Sequence, residues 1–236
     1  NFLNTHSHTN NLRVPSRTML SSIEESTPVV HLTPPPLITQ ESVIGYSFGL
    51  RPVRKGGIRM EREDFKDFDK IVYHNYGHGG SGLSIGYATV KHMCFKFFED
   101  GLYPKNTEVA IVGAGYMGLF TAIILAEEGF KVTVYAEQGP SDDGLYHKGE
   151  KAPIASNVAA GWWWPFLDIT NKPLYMGLIR ETFQQYSNWC LSGKYKGLVF
   201  RRSFCMDNIA DPYEDTTPKG LLKSRKVKID FGNGVQ

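Results

Sequence analysis

Val109-Ala110-Ile111-Val112-Gly113-Ala114-Gly115-Tyr116-Met117-Gly118 decides the fold. The apolar run Val109 to Val112 reads as a strand, and Tyr116, Leu119, Phe120, Ile123 and Ile124 recur at helical spacing behind it. Between them lies a G-x-G-x-x-G turn, where residues without a Cβ let the chain reverse tightly and let backbone approach a pyrophosphate. The charge of that group would meet the free N–H groups and positive dipole end of the helix. Gly129 is placed to end the helix, Lys131 to Tyr135 alternates polar and apolar like a second strand, and Ala136-Glu137 follows. Glu137 falls about twenty residues beyond the turn, where a carboxylate accepts ribose hydroxyls of an adenosine and repels a 2′-phosphate. The unit predicts dinucleotide binding. FAD and NAD share this fingerprint, so the turn alone leaves the choice between them open.

Three further stretches bear on that choice: Phe48-Gly49-Leu50-Arg51-Pro52-Val53-Arg54, Val72 to Ser84 with its His74-Asn75-Tyr76-Gly77-His78-Gly79-Gly80 core, and Ser156-Asn157-Val158-Ala159-Ala160-Gly161-Trp162-Trp163-Trp164-Pro165-Phe166. Together with Val109 to Glu137 they resemble the D-amino-acid oxidase family of FAD enzymes. In that family the nucleotide fingerprint opens the chain, and the RPVR and HNYGHGG stretches close it. Here the closing stretches come first, as in a circular permutation, which a fold tolerates when its ends lie close together. The resemblance implies an α/β fold: a Rossmann-like FAD-binding domain with a mostly parallel sheet, plus part of a mixed-sheet substrate domain, in permuted order. The family's middle has no counterpart, so the reading is of one piece of a longer or cleaved protein, which the first residue, Asn1, fits without proving.

The implied roles follow position by position. Gly113, Ala114, Gly115, Met117 and Gly118 would hold the FAD pyrophosphate, and Ala136 and Glu137 its adenosine. Ser156, Gly161 and Trp162 match cofactor-contacting positions, although three consecutive tryptophans stand where one is usual; at least one of them is expected in the core. Gly79, Gly80, Ser81, Gly82, Leu83 and Ser84 match positions that contact the flavin, and a glycine-rich strand-to-helix junction suits this physically, because it aims uncrowded N–H groups at an electron-rich ring edge. The Gly80 backbone would also hold the substrate amine. Arg51 matches the arginine that grips the substrate carboxylate, a planar guanidinium making two parallel hydrogen bonds. Arg54 and Arg59 read as structural, paired with neighbours such as Glu61 or Glu63, and His74 and His78 as strand-end histidines that bond backbone and pack against the ring rather than catalyse. No catalytic side chain and no metal ligand is called for. The implied reaction is oxidative deamination of a D-amino acid to an oxo acid, ammonia and hydrogen peroxide, with hydride transfer from Cα to flavin. An inactive flavin-binding remnant and an NAD-dependent dehydrogenase are the alternatives.

Composition sets limits. Twenty-six basic against twenty-four acidic residues leave a net charge of +2, without the global field of a nucleic-acid binder. The cluster Lys219, Lys223, Arg225, Lys226, Lys228 alternates with Val227, Ile229 and Phe231 and reads as a strand with a solvated basic face. Cys94, Cys190 and Cys205 are too few and too scattered for a metal cluster or disulfide framework, as are His6, His8 and His31 for a metal site. No apolar run approaches the roughly eighteen residues of a membrane span. The expected partners are a small amino acid and oxygen, with a homodimer or association with the missing segment as candidate assemblies. The expected compartment is intracellular, the cytoplasm ahead of the peroxisome.

Along the chain, residues 1–40, polar and ending near Pro34-Pro35-Pro36, read as a flexible arm. Residues 41–106 are expected to supply substrate-sheet strands at Val43 to Phe48, Gly57 to Glu61 and Lys70 to Asn75, then a helix from about Gly82 to Asp100 with its apolar stripe at Leu83, Tyr87, Val90, Cys94 and Phe97. Residues 107–236 are expected to hold the FAD-binding part running into the substrate domain.

Overall fold

The computed structural model describes residues 28–140, 154–161, 163, 172–202, 227–230 and 232. The described residues form a mixed α/β architecture of two compact units, one containing the parallel strands β1 (Val29–His31) and β6 (Lys228–Asp230), the other spanning Leu37–Ser224. The first strand lies inside the segment expected as an arm. The second confirms strand structure at Lys228 and Ile229, while Lys219, Lys223, Arg225, Lys226 and Phe231 lie outside the described residues.

In the larger unit, β2 (Arg59–Phe65) and β3 (Lys70–Tyr76) make an antiparallel hairpin in the register Arg59↔Tyr76 to Phe65↔Lys70. A single 3-10 turn, Lys66–Phe68, reverses the chain, with Asp69 taking the left-handed conformation at φ 48°. The first hairpin strand begins two residues later and ends four later than the expected Gly57 to Glu61. Its alternation continues through charged residues because Arg59, Glu61, Glu63 and His74 satisfy one another across it. Val43 to Phe48, expected as a strand, forms none: Val43, Ile44, Tyr46 and Phe48 are exposed, and no described strand offers the ladder bonds that would fix them extended.

Helix α1 (Gly82–Glu99) follows the hairpin and ends where Gly101 adopts φ 63° and its N–H bonds Phe98 O at 3.0 Å. Strand β4 (Glu108–Val112), helix α2 (Tyr116–Glu127) and strand β5 (Lys131–Tyr135) then form the expected parallel βαβ unit, registered from Glu108↔Lys131 to Val112↔Tyr135. Gly129 at φ 93° ends α2, with its N–H bonding Ala126 O and the Phe130 N–H reaching back to Leu125 O, both at 3.0 Å. This unit is the part of the expected parallel sheet that the described residues contain.

One core gathers Val90, Cys94 and Phe97 of α1, Ile111 of β4 and Leu125 of α2, edged by Val109, Val132, Val134 and Phe130. Phe97 is its hub, stacked on Tyr103 at 4.7 Å and edge-on to Tyr73 at 5.3 Å and Phe130 at 5.2 Å. Each such aromatic pair adds about 0.5–1.5 kcal/mol beyond its buried area. Cys94 is a small hydrophobe there, its thiol pushed up to about 12 by burial. A second core joins α1 to α3 (Lys172–Ser192) through Ile85, Ala88, Tyr175, Leu178 and Ile179. Polar contacts reinforce it: Thr182 Oγ1 accepts from the Ala88 N–H at 3.2 Å, and Glu181 holds both Lys91 Nζ and His92 Nε2 at 2.7 Å. No described helix is long and apolar enough to cross a membrane.

Candidate functional site

The end of β4 creates the first glycine turn. Gly113 takes φ 104°, a conformation that excludes side chains, and its N–H bonds Tyr135 O at 2.8 Å, so the turn leaves the sheet just beyond the carboxyl ends of both parallel strands. Gly115 caps α2 in extended conformation, and the first intrahelical acceptor to be used is its own carbonyl, bonded by the Leu119 N–H at 3.0 Å. The amides of Tyr116, Met117 and Gly118 therefore emerge from the helix start without intrahelical partners. A Cβ on Gly118 would stand 1.9 Å from Gly113 O, so only glycine lets helix and strand approach this closely. Ala114 lies within the turn, and Ala136 and Glu137 follow β5 at the same end of the sheet, both exposed.

The second glycine turn lies beside the first. Gly77 and Gly79 take φ 87° and 57°, and α1 begins behind Ser81, whose carbonyl accepts from the Ser84 N–H at 2.9 Å and the Ile85 N–H at 3.1 Å. Gly82 and Leu83, the first two helical residues, again present amides without intrahelical acceptors. A Cβ on Gly82 would lie 3.4 Å from Met117 Cε, and one on Gly86 would lie 2.5 Å from Met117 Cε and 2.7 Å from Tyr116 Cε1. The two helix starts are thus in van der Waals contact through Met117. Ser84 is 1 % exposed, yet its buried Oγ has no hydrogen-bond partner among the described residues.

The remaining stretches join this pair. Val53 forms an antiparallel bridge with His78, and the Gly79 N–H donates to Pro52 O at 3.0 Å, so exposed Arg51 and half-buried Gly80 flank one backbone hydrogen bond. The turn holding Ser156 meets both neighbours: a Cβ on Gly49 would stand 2.3 Å from Val158 Cγ2, and one on Gly115 would stand 3.8 Å from Ser156 Oγ. Gly161 is left-handed at φ 70°, and Trp162 lies outside the described residues. Trp163 takes the expected core position, packed on Phe183 at 5.1 Å with its Nε1 buried and without a hydrogen-bond partner among the described residues. Four stretches far apart in the chain are brought into one neighbourhood.

Three expectations are corrected. His74 bonds a side chain, not backbone: its Nε2 lies 2.9 Å from Glu63 Oε2, and its ring is edge-on to Tyr76 at 5.7 Å. His78 likewise bonds a side chain, Thr89 Oγ1, at 2.9 Å. Burial pushes the His78 imidazole down to about 4, which keeps it neutral near pH 7. Arg59 pairs with Glu61 at 2.5 Å and Glu63 at 2.6 Å as expected, whereas Arg54 donates to Gly57 O at 3.3 Å instead of meeting either carboxylate. A hollow of about 310 Å³ between the start of β2 and the first turn of α3 has Arg54, Arg59, Glu61 and Tyr175 on its wall and none of the glycine-turn residues. Sequence reasoning missed Gly86 and Thr89. A glycine inside a helix costs about 1 kcal/mol against alanine and was a signal that something packs there; Thr89 offered none.

A model of the FAD dependent oxidoreductase family matches residues 108–207. The chain is 47 % identical over 55 residues to a D-aspartate oxidase of Cryptococcus neoformans, covering 23 % of this chain and 14 % of that protein. It is 51 % identical over 61 residues to a D-amino-acid oxidase of Dictyostelium discoideum, covering 26 % and 17 %. A thiamine thiazole synthase of Pyrobaculum calidifontis is 41 % identical over 71 residues, covering 30 % and 26 %. The matched stretch thus spans about a quarter or less of these relatives' lengths. No solved structure matches. The glycine turn at the carboxyl end of β4 lies inside the stretch, residues 108–207, that is similar to the FAD dependent oxidoreductase family and overlaps in kind with D-amino-acid oxidases, a similarity that implies FAD as the cofactor.

Proposed function

We propose that the four converging stretches form one FAD site of a permuted Rossmann-like domain, and that the protein oxidatively deaminates D-amino acids. The observation that carries this reading is the contact of Gly82 and Gly86 with Met117, which sets the starts of α1 and α2 side by side. Two sets of outward amides then face one region, as a single molecule with a pyrophosphate and an electron-rich ring would need. The buried, unpartnered Ser84 Oγ fits an absent polar group at that place. In this reading Gly113, Ala114, Gly115, Met117 and Gly118 hold the pyrophosphate, Ala136 and Glu137 the adenosine, and Ser156, Gly161 and Trp162 the body of the cofactor. Gly79 to Ser84 line the flavin edge, and the Gly82 and Leu83 amides, which have no intrahelical acceptors, turn toward it.

When bound, FAD supplies a two-electron acceptor, so that an amino acid, water and oxygen give an oxo acid, ammonia and hydrogen peroxide. The chain's part is orientation. Arg51 grips the substrate carboxylate through two parallel hydrogen bonds while the Gly80 carbonyl accepts from its amine, two anchors joined by the Pro52–Gly79 bond. Neutral His78 takes no proton in this scheme.

A second reading, a flavin-binding protein that needs another polypeptide to turn over, is favoured by the outer face of β4 and β5. Val112 is 90 % exposed and Tyr135 59 %, whereas parallel sheets are ordinarily covered on both faces. A spectroscopic titration separates the readings. Purified chain mixed with FAD should give a resolved visible flavin spectrum that bleaches on anaerobic addition of D-alanine or D-aspartate. A bound spectrum without bleaching favours the second reading, and no bound flavin overturns both. Arg51→Leu should retain flavin and lose bleaching at low substrate; unchanged bleaching rejects its role.

A further inference from the structure

His78 is 2 % exposed and stands where three parts of the site meet. Its backbone pairs with Val53 behind Arg51, and the next residue, Gly79, bonds Pro52. Its side chain crosses to α1, where Nε2 lies 2.9 Å from Thr89 Oγ1. The Thr89 hydroxyl lies 2.9 Å from Gly86 O, to which it donates its one proton, and 3.9 Å from Met117 Sδ. Because that proton is committed, Thr89 accepts from His78, and the neutral ring carries its hydrogen on Nε2. The chain of bonds therefore runs from the arginine loop, through the second glycine turn, to the residue on α1 that abuts Met117 of the first turn.

We propose that the His78–Thr89 hydrogen bond is the positioning element that sets the two glycine turns at the spacing one FAD molecule requires. It rests on the reading of these turns as one flavin site and adds a residue pair outside those that would touch the cofactor. A buried donor and acceptor lost one at a time leave the other unsatisfied, whereas losing both removes the penalty along with the bond. The two substitutions must then be non-additive in FAD affinity.

The test is a double-mutant cycle on FAD dissociation, followed by flavin fluorescence quenching in chains shown to be folded by circular dichroism. His78→Leu and Thr89→Val should each weaken FAD about tenfold, and the double variant about tenfold rather than a hundredfold. His78→Gln, whose amide N–H can reach the Nε2 position, should restore affinity to within about threefold, and Thr89→Ser should match the wild type, outcomes a generic packing role does not give. Should His78→Leu fail to fold, Thr89→Val against Thr89→Ser decides: equal affinities overturn the proposal. Additive losses, or unchanged affinity in the single variants, overturn it as well. A wild-type chain that binds no FAD fails the functional reading at the outset, before any variant is measured.

Discussion

Replacing Gly118 by alanine sets two opposed effects against each other. Alanine is the better helix former by about 1 kcal/mol, so on propensity alone the change stabilises α2. The new Cβ, however, would stand 1.9 Å from Gly113 O and 3.0 Å from Gly113 C, with Ile111 Cγ2 at 3.4 Å. The first two obstacles are backbone, fixed by the Gly113 N–H bond to Tyr135 O, and no rotamer change relieves them. Either α2 or the turn must move, and overpacking of this kind costs about 1–3 kcal/mol and sometimes more. The clash wins, for a net loss of about 2 kcal/mol at the upper part of that range, or a fall in Tm of about 4–8 °C. Gly177→Ala is the control: Gly177 is exposed in α3 with nothing within 4 Å of its would-be Cβ, and it should gain up to about 1 kcal/mol and 2–4 °C. Thermal unfolding of the FAD-free chains by circular dichroism reads both. A Gly118→Ala chain as stable as the parent would refute the close approach of α2 to β4, and with it the argument that glycine is required at that position.

Three other outcomes are expected. Ser84→Ala removes a buried hydroxyl that none of the described residues satisfies, so it should leave Tm of the FAD-free chain unchanged or raise it while weakening FAD about tenfold; equal FAD affinity would detach Ser84 from the site. His78 titrates near 6.5 when unfolded and about 4 when folded, so as pH falls from 6.5 toward 4 the unfolded state takes up a proton that the folded state refuses. Stability is full above pH 6.5 and should fall by roughly 2–3 kcal/mol toward pH 4, and His78→Gln should flatten that slope in denaturant melts; parallel slopes would contradict its burial. The Glu63 carboxyl is held below its usual range by Arg59 and then His74, so its contribution is present above about pH 4.3 and disappears as pH drops through the folded value. Glu63→Gln should abolish that acid-limb dependence in hydrogen exchange of the β2–β3 hairpin, with unchanged exchange arguing that the pairing is inert.

The amino-acid sequence by itself determined what depends on near neighbours. The βαβ unit from Glu108 to Tyr135 was legible because strand periodicity, turn glycines and a left-handed Gly129 are all local, and α1 was legible from its apolar stripe. α3 went unread although Tyr175, Leu178, Ile179, Thr182, Tyr186 and Trp189 recur at helical spacing; mixed with polar residues, that stripe becomes a core only once α1 and α2 lie against it. Val43 to Phe48 shows the converse, an alternating stretch that needs a neighbouring strand to become one. Tertiary structure alone decided that Gly82 meets Met117, that Gly49 meets Val158 and that His78 is held by Thr89. Such contacts close loops of 11 to more than a hundred residues, and which loop closes is set by how whole faces pack, a property that local periodicity does not contain.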